Sequence, residues 1–384
     1  MLFEQTLNTS HTMAASHRNG AVDTIRTLSL IGICLVNMPF LGLSTEQAMS
    51  PPPALLDRSA AFAVEALFQM KFFLLFSFLF GWGMHIQDLA AQKAGVAFAG
   101  RYGRRLAGLA LLGILHGVLV FTGDILLLYA VAGLLIWPAR GLPPRRLLQL
   151  AAAMIPLAVV LTLALLLIPA GPGGVPPTAG LGDSYSAALA VRLRDWPPTV
   201  LMLMLLQGPL VLAAFAAGLA AARTTFLTPG SAGRQRLAAA QPVLLAIGVP
   251  LNLLYAATTS GMAAVADGWP ALLAVTSITL GAPALAAVYL HLILRLSDRM
   301  TLPPLLERAG RNSLSAYVLQ GVLAGFVFGG YGLGLFGQVG QAGLAVIGLL
   351  VAVAAMLIVG VLAGRLGRGP LEILLRRITY GAAG

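Results

Sequence analysis

Ten apolar runs divide this chain, at about 24–43, 61–84, 106–122, 125–138, 147–169, 198–222, 242–259, 271–294, 312–330 and 342–364. In water that much apolar surface finds no cover. A bilayer covers it, provided every backbone group is satisfied within its own segment, so the runs are expected to be helices. Only 10% of the residues are charged and 58% are hydrophobic, against roughly 25% charged in a soluble domain. The expected fold is an all-α integral membrane protein, a single polytopic bundle of about ten transmembrane helices. Residues 1–20 are polar and mixed, without the apolar core of a signal peptide. They are expected to form a flexible tail ahead of one helical domain, 21–384.

Orientation follows from Lys and Arg. With the N-terminus in the cytoplasm, twenty of the 24 basic residues fall on the cytoplasmic side and three (Arg58, Arg192, Arg194) on the other, with Lys71 inside a span. Both termini are therefore expected to be cytoplasmic, in a bacterial plasma membrane. The net charge of +11 is explained by topology and does not imply nucleic acid. The 170–197 segment becomes the longest outer loop, Pro/Gly-rich at first, then an interfacial helix with Trp196 at headgroup level.

The groups that lipid tolerates least mark the candidate site. His116 lies about 15 Å into the third run, and Asp124 follows at the Gly123-Asp124 turn, with Tyr129 beyond. Runs three and four are short for a bilayer, which suggests a tight hairpin whose turn lies below the surface. A buried imidazole can serve as a general base, and a carboxylate can orient it. Eight helical residues cover about 12 Å, so contact between the two requires a bend at Gly123. Lys71, in a span with Glu65 and Gln69, lies too deep to snorkel and points to a polar cavity. Asp23 and Arg26 share a face of the first span, with Asn37 further along it. In the 306–324 segment Asn312 and Ser313 open a helix, Arg308 and Arg311 sit at the cytoplasmic surface, and Tyr317 and Gln320 enter the bilayer. No metal-binding spacing, P-loop or serine-hydrolase elbow is present. The one cysteine, Cys34, excludes an internal disulfide.

Several of these motifs together resemble the YeiB-like family of bacterial membrane proteins: Asp23-Thr24-Ile25-Arg26 with Asn37, Lys71-Phe72-Phe73, Leu115-His116-Gly117 with Gly123-Asp124-Ile125-Leu126, Gly310-Arg311-Asn312-Ser313-Leu314, and Gly369-Pro370-Leu371-Glu372. That family is similar to transmembrane acyltransferases of the heparan-α-glucosaminide acetyltransferase type, chiefly in the first span. The resemblance implies transfer from cytosolic acyl-coenzyme A, acetyl-coenzyme A first, to a hydroxyl or amine acceptor. The heparan-type enzymes carry a histidine after the first span, and residues 44–60 have none, so His116 is the substitute base. Asp124, Asn37 and Lys71 complete the expected catalytic group. Arg26, Arg104, Arg105 and Arg311 are expected to hold the coenzyme phosphates, and Glu65, Gln69, Tyr129, Tyr317 and Gln320 to line the substrate pocket. Expected partners are membrane lipids, a small-molecule, saccharide or lipid-linked acceptor and, as an open alternative, a second copy of the chain. The competing reading is a proton-coupled transporter or flippase, in which Glu65, Lys71, His116 and Asp124 line the path.

Overall fold

A computed structural model describes residues 2–168, 179–266 and 268–381. The first half of the outer loop, with its Pro/Gly-rich stretch, falls mostly outside them. Every apolar run is helical. Helix α1 is Leu2–Gly42, of which Gly20–Gly42 is apolar enough to cross a membrane. Helices α2 (Thr45–Met49) and α3 (Leu55–Leu67) follow, and α4 (Lys71–Lys93) continues α3 after a break. Next come α5 (Phe98–Leu119), α6 (Leu126–Ile136), which runs into a 3-10 turn, and α7 (Pro144–Leu166). Helices α8 (Tyr185–Leu206) and α9 (Gly208–Ala222) meet at a 54° bend. Then α10 (Ala232–Thr259), α11 (Trp269–Thr276), α12 (Ile278–Ser297), α13 (Pro304–Arg311), α14 (Ser313–Phe328), α15 (Gln341–Leu366) and α16 (Pro370–Tyr380) complete the chain.

The chain is an all-helical polytopic membrane protein. Among the described residues six helical segments are long and apolar enough to cross a bilayer, and a seventh is obtained if α8 and α9 form one bent span. Helix α6 with its 3-10 extension, and α14, are apolar but shorter. The helices stay apolar on the outside of the bundle: Val346, Leu349, Leu350, Leu357 and Val361 of α15 are all exposed. That is unfavourable in water and favourable against lipid tails. Trp196 differs from its expected place. The second half of the outer loop is α8 itself, which continues through Pro197 and Pro198. The Trp196 indole packs on Gly117 of α5, where an added Cβ would meet its ring nitrogen, because a bent helix folds inward where an interfacial one would lie flat.

Small residues let these helices approach closely. A Cβ on Gly81 of α4 would collide with the backbone carbonyl of Phe215 on α9, and a Cβ on Gly218 of α9 with that of Phe78 on α4. The two contacts are reciprocal, so the α4–α9 seam excludes even a methyl group. The same seam stacks Phe80 on Phe215 at 4.8 Å. Gly83, also in α4, faces open space. Gly81→Ala and Gly218→Ala should each cost about 1–3 kcal/mol through forced separation of the helices. Gly83→Ala should be neutral or stabilising by up to about 1 kcal/mol. Thermal unfolding of the three variants in detergent checks this ordering; a destabilised Gly83→Ala beside unperturbed Gly81→Ala would contradict it.

Candidate functional site

Helix α5 carries His116 on its last full turn and ends at Leu119. The chain then turns through Thr122 and Gly123, brings Asp124 back beneath His116, and starts α6. The bend that sequence spacing demanded is present. His116 Nδ1 lies 2.8 Å from Asp124 Oδ1, and the two residues are 4% and 2% exposed. Gly113, one turn before His116, makes room. An added Cβ there would lie 2.9 Å from Asp124 Oδ2 and also against the Leu127 nitrogen. Glycine at this position lets the start of α6 press against α5.

Asp124 is a saturated acceptor. Its Oδ2 receives the backbone N–H groups of Leu126 at 2.8 Å and Leu127 at 3.2 Å, two unpaired donors in the first turn of α6. Its Oδ1 receives the Tyr317 hydroxyl at 3.3 Å besides the imidazole, and that hydroxyl accepts from the Ile125 N–H at 3.4 Å. With every other partner a donor, His116 Nδ1 donates as well. Its Nε2 is left as the bare acceptor. That nitrogen is buried and has no hydrogen-bond partner among the described residues. It faces Gly321 of α14, where an added Cβ would sit 2.8 Å away. The imidazole and Tyr317 rings are 5.1 Å apart. This is the arrangement in which a carboxylate fixes the tautomer and the far nitrogen is free to take a proton.

Around this pair lie three of the five expected pocket residues. Gln320 donates to the Leu30 carbonyl at 3.2 Å and ties α14 to α1. Tyr129, one turn after the α6 start, bonds Ser77 at 2.8 Å and stacks among Phe73, Phe76 and Phe80. Tyr317 bridges α14 to the turn, as described. The other two belong elsewhere. Glu65 and Lys71 flank the break between α3 and α4, with Gln69 inside it. The fully buried Lys71 ammonium donates to the Glu65 carbonyl oxygen at 2.9 Å, and the Glu65 carboxylate accepts from Thr259 of α10. Met70, at φ 65°, is the only non-glycine residue with positive φ among the described residues, a strained conformation that marks the break. No hydrogen bond joins Lys71 or Asn37 to the His116 pair; Asn37 is half-buried on α1.

Three of the four expected phosphate-binding arginines are engaged by the chain's own groups. Arg311 bonds Asp23 at 2.8 Å and also Glu307; the bond to Asp23 raises the pKa of its guanidinium. Arg104 donates to the Thr379 carbonyl at 3.0 Å. Arg26 lies 3.6 Å from Asp23. Arg105 neighbours Arg26 and Glu372, and its buried Nε has no partner.

Glu372 was missed by sequence reasoning. Its Oε1 accepts the Leu314 and Ser315 N–H groups at the start of α14, and it also bonds the Ser315 hydroxyl at 2.5 Å. In return Asn312 Oδ1 accepts the Gly369 N–H at 2.7 Å, and Ser315 accepts that of Leu371 at 3.0 Å. Two helix N-termini thus cap one another. The anion position at the α14 N-terminus is filled by the chain's own carboxylate, and Asn312 serves α16 in place of its own helix. Gly-Pro-Leu-Glu does carry the signal: proline opening a helix and an acid in its first turn.

Residues 221–382 match the family model described as Protein of unknown function (DUF418). Uncharacterized protein YeiB of Escherichia coli (strain K12) is 30% identical over 387 residues, 96% of this chain and 97% of that one. Uncharacterized protein YxaH of Bacillus subtilis (strain 168) is 26% identical, covering 95% of each chain. An uncharacterized 39.9 kDa protein of Bacillus acidopullulyticus is 37% identical over 128 residues, 33% of this chain and 35% of its own. No solved structure matches the chain.

Removing the acceptor at the centre of the site should be costly. Asp124→Ala strands His116 Nδ1, the Tyr317 hydroxyl and two backbone N–H groups, and should lower stability by about 2–4 kcal/mol. Asp124→Asn keeps one carbonyl oxygen and should cost less. Denaturation of the purified variants would contradict this if Asp124→Ala were as stable as the parent.

Proposed function

The chain belongs to the YeiB-like DUF418 family, and from that membership together with its buried His116–Asp124 pair we propose that it is an integral-membrane acyltransferase. The observation that carries the proposal is the free Nε2. A buried imidazole whose other nitrogen is pinned by a saturated carboxylate is set up for proton transfer to and from a bound hydroxyl or amine. In this reading Nε2 takes the acceptor's proton as its oxygen or nitrogen bonds to the thioester carbonyl carbon. The carbon–sulfur bond breaks, and His116 returns the proton to the departing thiolate. Asp124 stabilises the imidazolium in between, and Tyr317 holds Asp124.

The donor is acyl-coenzyme A, acetyl-coenzyme A first, entering from the cytoplasmic face of a bacterial plasma membrane. Arg26 and Arg105 are the arginines best placed for its phosphates, because Arg105 has an unpaired N–H. Arg104 and Arg311 shape that rim through Thr379 and Asp23. The topology that accompanies this reading has about ten spans, with the shorter helices α6 and α14 counted among them and both termini inside.

A second reading is favoured by a different observation. Lys71 and Glu65 at a broken, strained span resemble the discontinuous helices at transporter binding sites. A proton-coupled transporter would give them a role that acyl transfer leaves empty. Proton uptake into proteoliposomes on adding solute, lost in Lys71→Gln and kept in His116→Gln, would favour transport.

The acyltransferase predicts a saturable rise in thermal stability of the detergent-purified protein with coenzyme A and acetyl-coenzyme A, reduced in Arg26→Gln and Arg105→Gln. His116→Gln should keep that rise and lose acetyl transfer by at least about 100-fold. No rise at millimolar coenzyme A, or undiminished transfer by His116→Gln, would contradict it.

A further inference from the structure

A cavity of about 20 Å³ lies on the outer side of the bundle, lined by Phe40 and Leu41 of α1, Val120 past the end of α5, Gly325 of α14, Leu181 and Arg192. In this state it has room for about one water molecule. Its position matters more than its size. Val120 is one helical turn beyond His116, and Gly325 one turn beyond Gly321, which faces His116 Nε2. An added Cβ at Gly321 would touch both Nε2 and the Val120 side chain. The cavity floor is therefore about 6 Å along the helix axis from the free nitrogen. A wider hollow of about 510 Å³ over α2, lined by Glu46 and Gln47 among others, is remote from this pair.

Arg192 is the one charged residue in the cavity wall. It is 6% exposed, and among the described residues no carboxylate lies within ion-pair distance of it. The acid nearest in sequence, Asp195, is paired with Arg194. One Nη of Arg192 donates to the Leu119 carbonyl at 3.0 Å. Capping the end of α5 does not require this cation, because Tyr185 donates to the same carbonyl at 3.1 Å. The Tyr185 ring lies 5.9 Å from the guanidinium carbon, but among the described residues the remaining guanidinium N–H groups make no hydrogen bond, and the side chain lines the cavity. A buried cation without a counter-ion is costly, and an anion arriving from outside would relieve that cost through charge-assisted hydrogen bonds.

We propose that this cavity is the acceptor's port and that Arg192 selects an acceptor with an anionic group, phosphate or carboxylate, close to the hydroxyl or amine that meets His116. The role given to the acceptor rests on the acyltransferase reading; the anion site stands without it. The group seated on Arg192 places the neighbouring hydroxyl one turn deeper, at Nε2, after the side chains of Leu181 and of Phe121, which also lines the cavity, part to admit it. A neutral sugar or alcohol lacks this anchor.

The test uses the full chain in detergent with no acyl donor present, and follows thermal unfolding with glycerol 3-phosphate, glycerate and glycerol. The expected result is a saturable rise with at least one of the two anions and none with glycerol; the anion with the larger rise separates phosphate from carboxylate recognition. Arg192→Gln should weaken the apparent affinity at least about tenfold, Arg192→Lys should keep part of it, and Arg194→Gln, which removes an equal charge from the same helix, should leave it unchanged. If Arg192→Gln does not fold, the comparison of Arg192→Lys with Arg194→Gln decides. The proposal is overturned if neither anion stabilises the parent, if glycerol does so equally, or if the Arg192 variants respond like the parent. An anion response through Arg192 without any coenzyme A response would leave this site standing and remove acyl transfer. A coenzyme A response without an anion response would do the reverse.

Discussion

A carboxylate in the interior of a membrane protein has to be met by donors on both oxygens, and Asp124 shows how much structure that requirement commits. Two of its partners are backbone N–H groups of α6, one is the imidazole of α5, and one is the hydroxyl of α14. The α5–α6 hairpin closes around it, Gly113 admits it, and α14 is held to the turn through Tyr317. A charge left unpaired there would cost far more than the fold can supply. The same requirement fixes the imidazole: with Asp124 accepting from every side, the ring has one orientation and one tautomer. The bare Nε2 is thus a by-product of the way the hairpin satisfies its own turn.

The rest of the bundle holds its polar groups by the same economy. Glu372 caps α14 while Asn312 and Ser315 cap α16, so each helix start is satisfied by the other. Between α3 and α4 the strained Met70 sets Lys71 beside the Glu65 carbonyl. The two centres, His116–Asp124 and Glu65–Lys71, share no hydrogen bond among the described residues. Arg192 departs from this pattern, since it has a carbonyl on one side and open cavity on the other.

Much of this was legible in the sequence. Apolar length fixed where the helices run, because lipid allows little else. The rarity of ionisable groups in those runs singled out His116 and Asp124, and their eight-residue spacing stated the bend that contact would need. Helix boundaries were less legible: α5 begins at Phe98, eight residues before its apolar run, since Arg101, Arg104 and Arg105 are accommodated by a helix end where Tyr380 and Thr379 meet them. Its depth and the family resemblance group Lys71 with His116, and neither says which side of a helix faces which neighbour. Trp196 and Arg192 were hidden for the same reason. Their roles come from α8 folding against the end of α5, a long-range packing choice that no local spacing encodes.

The claim on which the account turns is that His116 holds its proton on Nδ1 and keeps Nε2 bare. Nitrogen-15 NMR of histidine-labelled protein in nanodiscs, with His11, His17, His85 and His291 replaced by Gln, measures that directly. The account predicts a single neutral tautomer, with a protonated, hydrogen-bonded Nδ1 whose signature is lost in Asp124→Ala, and an unprotonated Nε2. A proton on Nε2 with Nδ1 bare would contradict it, since that ring would carry no lone pair toward a substrate.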